Sequence, residues 1–282
     1  MPGRHWSETA VNQPWRIVLL LASAGMAAAS GSDQVHGGKQ AITVVRPDKV
    51  SVRANTAKIN YREGGSKALC SGVLVSDDTV LTAGHCACGS RSTYTATIRN
   101  GGTTLFVSAL VLFPGFQCST SSVPQPGRDL ALLKLVRKTD IPPPPIATIW
   151  EAKDQATGTL QIVGFGLTDN GSFGTQFEAA VPVQSWTCVE SWALDQGCSA
   201  YREFILTEPG TRPSDTCGGD SGGPVFAGPN SDWLVGITSR GLSTGRFKPA
   251  CGQGGIYETV ARKPVITWLA EHGVPWIKAH AP

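Results

Sequence analysis

The sequence predicts an all-β protein that ends in a short helix. From about residue 50 onward, short apolar or β-branched runs alternate with Gly, Asn, Asp and Pro, at the spacing typical of antiparallel barrels and sandwiches. The 282 residues include 33 glycines and 19 prolines, more than average usage, and helical patterns are missing between the runs. The predicted strands lie in the runs ALCSGVLVS, TVLTAG, STYTATIRN, TLFVSALVLF, LALLKLV, LQIVGFG, AAVPVQSW, PVFA, WLVGITS and GGIYETV.

A proline-rich stretch divides the strand-rich part of the chain into two halves. Residues 141–150 read IPPPPIATIW, and proline lacks the N–H that a central strand must donate. We interpret this stretch as an extended connector between two small barrels, one at about 42–140 and one at about 150–262. No internal sequence repeat accompanies this division.

The predicted helix covers about residues 263–273, KPVITWLAEHG. Pro264 suits a first helical turn, an apolar face follows it, and Gly273 can terminate the helix.

The N-terminal 29 residues have the pattern of a secretory signal peptide. Basic residues precede the apolar run IVLLLASAGMAAA, and Ala27 and Ala29 form an A-x-A cleavage pattern. A membrane anchor is the alternative, but it needs roughly 18 or more apolar residues. We therefore predict a secreted protein, extracellular or periplasmic, in which residues 30–41 are a pro-segment or linker. In an oxidising compartment, the even set of eight cysteines predicts disulfides.

Composition excludes two classes of partner. Charged residues are 16% of the chain, the net charge is +3, and no run of like charges occurs, so we expect neither nucleic acid nor a membrane as a partner. Zinc is a competing use of Cys86, Cys88 and neighbouring His85. Their spacing is not C-x2-C and no second ligand pair follows, so we predict no metal.

A histidine and an aspartate stand out by elimination as partners for a nucleophile. Of five histidines, only His85 follows a strand-like run, TVLTAGHC. The chain from Thr79 to Arg128 contains no carboxylate, and Asp129 then appears directly before the apolar run LALLKL. A buried charge there is costly unless it is paired, and a paired, buried aspartate is what orients a catalytic imidazole.

The stretch TCGGDSGGP, residues 216–224, combines a candidate nucleophile with glycines. Composition alone is that of an ordinary turn. Gly219 and Gly222 flank Asp220-Ser221, which allows close backbone approach, and the N–H groups of Gly219 and Ser221 are suited to bind an oxyanion.

The segments LTAGHC, RDLALLKL and GDSGGPV, in that order, resemble the three signature segments of the trypsin/chymotrypsin family of serine proteases. The resemblance runs from about Cys70 to the C-terminus. It implies two six-stranded antiparallel β-barrels with the site in the cleft between them, within a protease domain at 42–282. It also implies that Ser221 is the nucleophile, His85 the general base and then acid, and Asp129 its orienter.

The resemblance also implies a specificity. In members that cleave after Lys or Arg, an aspartate lies six positions before the nucleophile, as Asp215 does here. A carboxylate in a narrow slot favours a cation, because a neutral residue leaves the charge unpaired. The matching pocket walls are Ser239, Gly241 and Gly255.

Four disulfides follow in part from the same resemblance. It implies Cys70–Cys86 beside the histidine and Cys217–Cys251 beside the pocket. Cys188–Cys198 is then the simplest local pair, and Cys88–Cys118 remains by default. The optional calcium loop of the family falls in the carboxylate-free stretch, so no calcium and no cofactor are expected.

Two departures from the family pattern leave alternatives open. Arg240 stands where an aromatic residue is usual, and it either disfavours basic residues before the cleaved bond or folds toward Asp215 and weakens the cation preference. No I-V-G-G precedes the domain. Either processing near Ile42, after Lys39, frees an amino group for Asp220, or Asp220 has another partner and no activation is needed.

We therefore predict a secreted, monomeric serine endopeptidase that hydrolyses bonds after Lys or Arg through an acyl-enzyme. Its partners are protein or peptide substrates and protein inhibitors. The alternatives are the same chemistry with a different P1 preference, or an inactive protease-like binding protein. Against the second alternative, all three residues of the triad are present.

Overall fold

The computed structural model describes residues 49–63, 65–99, 101–118, 124–156, 158–168, 171–207, 214–228, 230–242 and 251–275. The predicted signal peptide, the segment 30–41 and Ile42 lie outside these residues. The strands are β1 Lys49–Val50, β2 Thr56–Glu63, β3 Ser66–Ser76, β4 Thr79–Thr82, β5 Thr95–Ile98, β6 Thr104–Leu112, β7 Ala131–Leu135, β8 Thr159–Gly164, β9 Phe177–Ser185, β10 Glu203–Leu206, β11 Pro224–Ala227, β12 Trp233–Gly241 and β13 Gly255–Thr259. The α-helices are α1 Ile149–Gln155, α2 Ser191–Asp195 and α3 Lys263–Glu271.

The strands form two antiparallel barrels of six strands each. Barrel 1 is closed in the order β2-β3-β4-β7-β6-β5. Barrel 2 runs β9-β10-β13-β12-β11-β8 and closes through pairing of β8 with β9, while the short β1 adds to β9 from outside. Closure pairs the strand edges, which an open sheet would leave exposed. The predicted all-β architecture is confirmed.

Each barrel encloses its own apolar core because inward-facing side chains on its strands are large and apolar. In barrel 1, the fully buried leucines of these strands are Leu74 of β3, Leu81 of β4, and Leu132 and Leu133 of β7. In barrel 2, Phe204 stacks on Tyr257 with ring centroids 5.4 Å apart. Such aromatic pairs contribute about 0.5–1.5 kcal/mol beyond the area that they bury.

The C-terminal helix α3 follows barrel 2 in the chain and packs on barrel 1. Trp268 meets Phe113 edge to face with centroids 5.2 Å apart, and Val265 and Leu269 join the same core. Lys134 on β7 donates from Nζ to the carbonyl of His272 just beyond α3. The predicted helix is confirmed, and it links the two halves. No described helix combines the length and the apolar character needed to cross a bilayer.

Two α-helices and three strands were not predicted, and one of these strands is the two-residue β1. Helix α1 begins inside the predicted connector, where Thr148 and Glu151 form a capping box, so the T-x-x-E spacing was the missed signal. Helix α2 has five residues. The strands β2, TAKINYRE, and β10, EFIL, carry charges that obscured their apolar pattern.

The eight cysteines form the four disulfides named from the sequence. The pairs are Cys70–Cys86, Cys88–Cys118, Cys188–Cys198 and Cys217–Cys251. Cys86 is bonded to Cys70 and Cys88 to Cys118, so neither cysteine has a thiolate to offer a zinc ion beside His85.

Candidate active site

Barrel 1 brings His85 and Asp129 together through the pairing of β4 with β7. His85 lies in a single 3₁₀ turn, Gly84–Ala87, just after β4, and Asp129 lies just before β7, where Thr82 pairs with Ala131. The Asp129 carboxylate accepts the His85 backbone N–H at 2.8 Å through Oδ1. Its Oδ2 lies 2.9 Å from His85 Nδ1. An ionised carboxylate only accepts, so this contact places the proton on Nδ1 and leaves Nε2 free as the acceptor.

Barrel 2 adds a third donor to the same carboxylate. Ser239 on β12 donates from Oγ to Asp129 Oδ2 at 2.6 Å. The side chain of Asp129 is fully buried, whereas that of His85 is 31% exposed. The three hydrogen bonds offset the cost of burying the charge, and the imidazole keeps a face toward solvent.

The turn that carries Ser221 is anchored to both barrels. The Ser71 N–H donates to the Ser221 carbonyl at 2.8 Å, and the Gly222 N–H donates to the Thr238 carbonyl at 2.8 Å. Gly222 has φ +81°, and a Cβ there would collide with Thr82 Oγ1 and the Ser71 carbonyl. Glycine is required at 222 for both reasons. Ser221 therefore lies where Ser71 of barrel 1 and β12 of barrel 2 meet.

The backbone before Ser221 is oriented by two hydrogen bonds. The Leu167 N–H donates to the Gly218 carbonyl at 3.0 Å, and Ser71 Oγ donates to the Gly219 carbonyl at 2.9 Å. Because a trans peptide points its C=O and N–H in opposite directions, the Gly219 N–H faces away from Leu167. Gly219 has φ +98°, which glycine adopts without strain.

Asp220 is buried beneath this turn. Its carboxylate accepts N–H groups of Gly166 at 2.7 Å and Cys217 at 2.9 Å. A cavity of about 10 Å³ adjoins it, room for about one water. Burial is the main cause that raises the pKa of Asp220, to about 7.

The free energy of unfolding is expected to fall by a few kcal/mol between pH 4 and pH 7. Burial raises the folded-state pKa of Asp220 to about 7 and that of Asp215 to about 6, from an ordinary 3.8. The folded chain therefore holds protons that the unfolded chain releases, so their stabilising contribution is complete below pH 4 and lost as pH rises through 6 to 7. Urea unfolding of the unprocessed Ser221→Ala protein across this range measures the slope.

Asp220→Asn should flatten this slope, whereas Asp77→Asn, at an exposed ion pair with Lys138, should leave it unchanged. In the unprocessed protein, a free energy of unfolding that rises from pH 4 to pH 7 would contradict this prediction, because it would indicate a cation beside Asp220 before any processing.

A second cavity, of about 170 Å³, joins Ser221 to Asp215. Asp215 is buried, with Oδ1 accepting the Thr216 N–H at 2.7 Å and Oδ2 accepting the N–H groups of Gly252 and Gly254 at 2.8 and 2.9 Å. The wall residues are Asp215, Thr216, Cys217, Gly218, Ser221, Thr238, Ser239, Arg240, Gly241, Leu242, Cys251, Gln253 and Gly254.

Most of the predicted pocket residues line this cavity, and Gly255 does not. Gly255 pairs with Gly241 on the neighbouring strand, and a Cβ on it would approach the Tyr257 hydroxyl at 2.8 Å. Gly254, with φ +93°, lines the wall in its place. The two adjacent glycines are indistinguishable in the sequence, because the backbone conformation just before β13 decides which of them faces the cavity.

The Arg240 guanidinium pairs with Glu203 and not with Asp215. Its Nη1 and Nη2 donate to the two oxygens of Glu203 at 2.7 and 2.9 Å, and Nη2 also donates to the Gly197 carbonyl at 2.7 Å. The sequence left two roles open for Arg240. Because its guanidinium bonds Glu203, Arg240 does not fold toward Asp215. Sequence reasoning missed its partner Glu203, although a glutamate in the apolar run EFIL was a signal of a buried ion pair.

Two six-stranded barrels that bring an aspartate–histidine pair and a glycine-bounded serine to one site define the class of serine-type endopeptidases. The family model for trypsin matches residues 44–268, and this chain belongs to the trypsin family. Trypsin 5G1 of Aedes aegypti is 27% identical, over 91% of this chain and 98% of that protein. A trypsin-like protease of Streptomyces glaucescens is 30% identical, over 68% of this chain and 70% of that protein. Trypsin of Saccharopolyspora erythraea is 30% identical, over 68% of this chain and 82% of that protein.

Proposed function

We propose that this trypsin-family protease is a secreted endopeptidase that cleaves after Lys or Arg through an acyl-enzyme. The observation that carries the specificity is the buried Asp215 carboxylate in the cavity that Ser221 also lines. A Lys or Arg side chain in that cavity would neutralise a charge that is otherwise held by backbone N–H groups alone among the described residues.

The proposed chemistry begins with proton transfer from Ser221 Oγ to His85 Nε2 as Oγ attacks the scissile carbonyl carbon. The carbonyl oxygen becomes an oxyanion, which the N–H groups of Gly219 and Ser221 bind. His85 then gives the proton to the leaving amine, and the acyl-enzyme forms. Water, activated by His85, releases the acid and restores Ser221. Throughout, the Asp129 carboxylate stabilises the imidazolium and keeps Nδ1 protonated.

Hydrolysis of an arginine ester tests this proposal. We expect a burst of alcohol release equal to the enzyme concentration, followed by slower turnover, and cleavage of a peptide library after Lys and Arg. Cleavage after apolar residues would replace the proposed specificity with a different P1 preference. Substrate binding without hydrolysis would indicate an inactive binding protein.

Asp215→Ser is expected to lower kcat/KM for arginine substrates by about 100-fold or more. The guanidinium then enters a desolvated cavity without a counter-charge. The comparison is kcat/KM for matched arginine and phenylalanine esters, where the phenylalanine ester should lose little.

Thr216→Ser, which retains the neighbouring backbone donor, serves as the control at the same cavity wall. An Asp215→Ser protein that keeps its arginine preference would contradict the pocket assignment.

We further propose that residues 1–29 are removed on export, that 30–41 are a pro-segment, and that cleavage near Ile42 frees an amino group for Asp220. The buried Asp220 carboxylate supports this, since its described partners are neutral backbone donors. Mass spectrometry of the secreted form's N-terminus tests it, and a mature protein that begins elsewhere contradicts it.

A further inference from the structure

Four buried charges lie behind the Asp129 carboxylate. Glu203 on β10 and Glu258 on β13 have fully buried side chains, and Arg240 on β12 and Arg262 just after β13 have side chains 10% and 12% exposed. We call Glu203, Arg240, Glu258 and Arg262 the charge clamp. All four belong to barrel 2 or its end, whereas Asp129 belongs to barrel 1.

The charge clamp holds the backbone that leads to Asp129. Glu203 Oε1 accepts the Gly127 N–H at 2.9 Å, and Arg262 Nη2 donates to the Gly127 carbonyl at 2.6 Å. Glu258 Oε1 accepts the Asp129 N–H at 2.9 Å. Three backbone groups within three residues are therefore bound by buried charged side chains, which form stronger hydrogen bonds than neutral ones.

Arg240 also reaches the Asp129 side chain through one hydroxyl. Arg240 Nη1 donates to Ser239 Oγ at 3.2 Å, and Ser239 Oγ donates to Asp129 Oδ2 at 2.6 Å. A hydroxyl has one proton. With Arg240 donating to its lone pair, that proton is directed at Asp129.

The charges of the clamp balance only when both arginines are present. Two carboxylates face two guanidinium groups, which leaves the negative charge of Asp129 for His85. Burial and then the Glu203 carboxylate raise the pKa of Glu258, so this region already resists a second negative charge. Removing the Arg240 guanidinium alone would leave Glu203 buried without its ion pair.

We propose that the charge clamp positions Asp129 to orient the His85 imidazole, and that Arg240 is the positioning residue that neutralises Glu203 and orients Ser239. This inference rests on the proposed function, because it concerns the group that orients the proposed general base. It assigns Arg240 a role in the reaction that does not depend on contact with substrate.

Arg240→Gln, Glu203→Gln and the double variant test the proposal by a mutant cycle. For a small ester we expect Arg240→Gln to lower kcat at least about 10-fold and to change KM less than about 3-fold. The acid limb of its kcat/KM–pH profile should move to higher pH, since Glu203 adds negative charge near His85. The double variant, which removes both charges, should recover at least half of the logarithmic loss in kcat.

The matched control is Arg53→Gln. Arg53 donates to the buried Glu178 carboxylate at 2.8 Å, in an ion pair separate from the catalytic residues. We expect it to lower the unfolding midpoint without moving kcat or the pH profile. Among the described residues, His85 and Glu258 bond Asp129, Glu203 bonds Arg240, Arg262 bonds Glu258, and Arg202 is a charged neighbour of Arg262.

A second readout needs no turnover. The proton between His85 Nδ1 and Asp129 should give the most downfield proton resonance, assigned by its loss in His85→Ala. It is expected to shift or broaden in Arg240→Gln and to be unchanged in Arg53→Gln. Wild-type protein without esterase activity would defeat the proposed function, and the resonance would still test the charge clamp.

The proposal is overturned if kcat, the acid limb and the resonance are unchanged in Arg240→Gln, if the two single effects simply add, or if Arg53→Gln behaves identically. If Arg240→Gln does not fold, Arg240→Lys replaces it and Arg53→Lys replaces the control. Both lysine variants keep the positive charge. Reduced kcat and a shifted resonance are then expected for Arg240→Lys alone, and equal behaviour of the two overturns the proposal.

Discussion

Ser221→Ala is expected to lower kcat for arginine ester and peptide substrates by a factor on the order of 10⁶. Alanine removes the hydroxyl that we propose forms the acyl-enzyme and leaves the turn otherwise intact, because the anchoring bonds of Ser221 and Gly222 are made by backbone atoms. Activity that remains should come from binding and the oxyanion site alone. Steady-state hydrolysis measures the loss, with the burst amplitude of the unsubstituted protein as the count of its active sites.

Ser108→Ala is the matched control for this variant. Its hydroxyl donates to the Lys134 carbonyl at 3.0 Å in barrel 1, so a small loss of stability and near-normal kcat are expected. If Ser221→Ala retained more than about one per cent of kcat, Ser221 would not be the nucleophile.

Asp129→Asn is expected to lower kcat by about 10⁴ with little change in KM. The asparagine amide fits the same space, but its NH₂ would face the donors of His85 and Ser239. If the amide rotates so that its oxygen accepts from one donor, its NH₂ faces another donor. When that other donor is Nδ1, Nδ1 loses its acceptor, and the tautomer with Nε2 protonated is favoured. That tautomer cannot accept the Ser221 proton.

The measurement is kcat at the pH optimum together with thermal unfolding, which separates a catalytic loss from a folding loss. Asp78→Asn is the control, since Asp78 accepts from Thr79 at 2.7 Å away from the catalytic residues, and near-normal kcat is expected. A loss below about 10-fold in Asp129→Asn would show that Asp129 does not orient His85.

The residues that we propose as catalytic could be singled out because each has a local feature that the sequence displays. Asp129 is an isolated carboxylate directly before a buried strand, and His85 is the only histidine that follows a strand-like run. Gly222 has a positive φ and no room for a Cβ, so the turn around Ser221 needs glycine whatever its partners are. Asp215 and the pairs Cys70–Cys86 and Cys217–Cys251 were accessible only through resemblance, because spacing alone leaves several pairings open.

Other features depended on contacts distant in sequence. The charge clamp pairs Arg240 with Glu203 across 37 positions and Glu258 with the Asp129 N–H across 129 positions. A strand pattern shows that a glutamate is unusual in EFIL or GIYET, and it does not show which cation lies opposite. The direction of the Arg240 side chain was left open for that reason.

The sequence by itself determined the all-β class and the C-terminal helix, and it singled out the serine, histidine and aspartate that we propose as catalytic, because strand periodicity, turn glycines and isolated charges are local properties. Only the tertiary structure decided that Gly254 rather than Gly255 lines the cavity, that α3 packs on barrel 1, and that Arg240 faces Glu203. The physical reason is that burial and charge pairing depend on which strands become neighbours, and closure of the two barrels sets that neighbourhood.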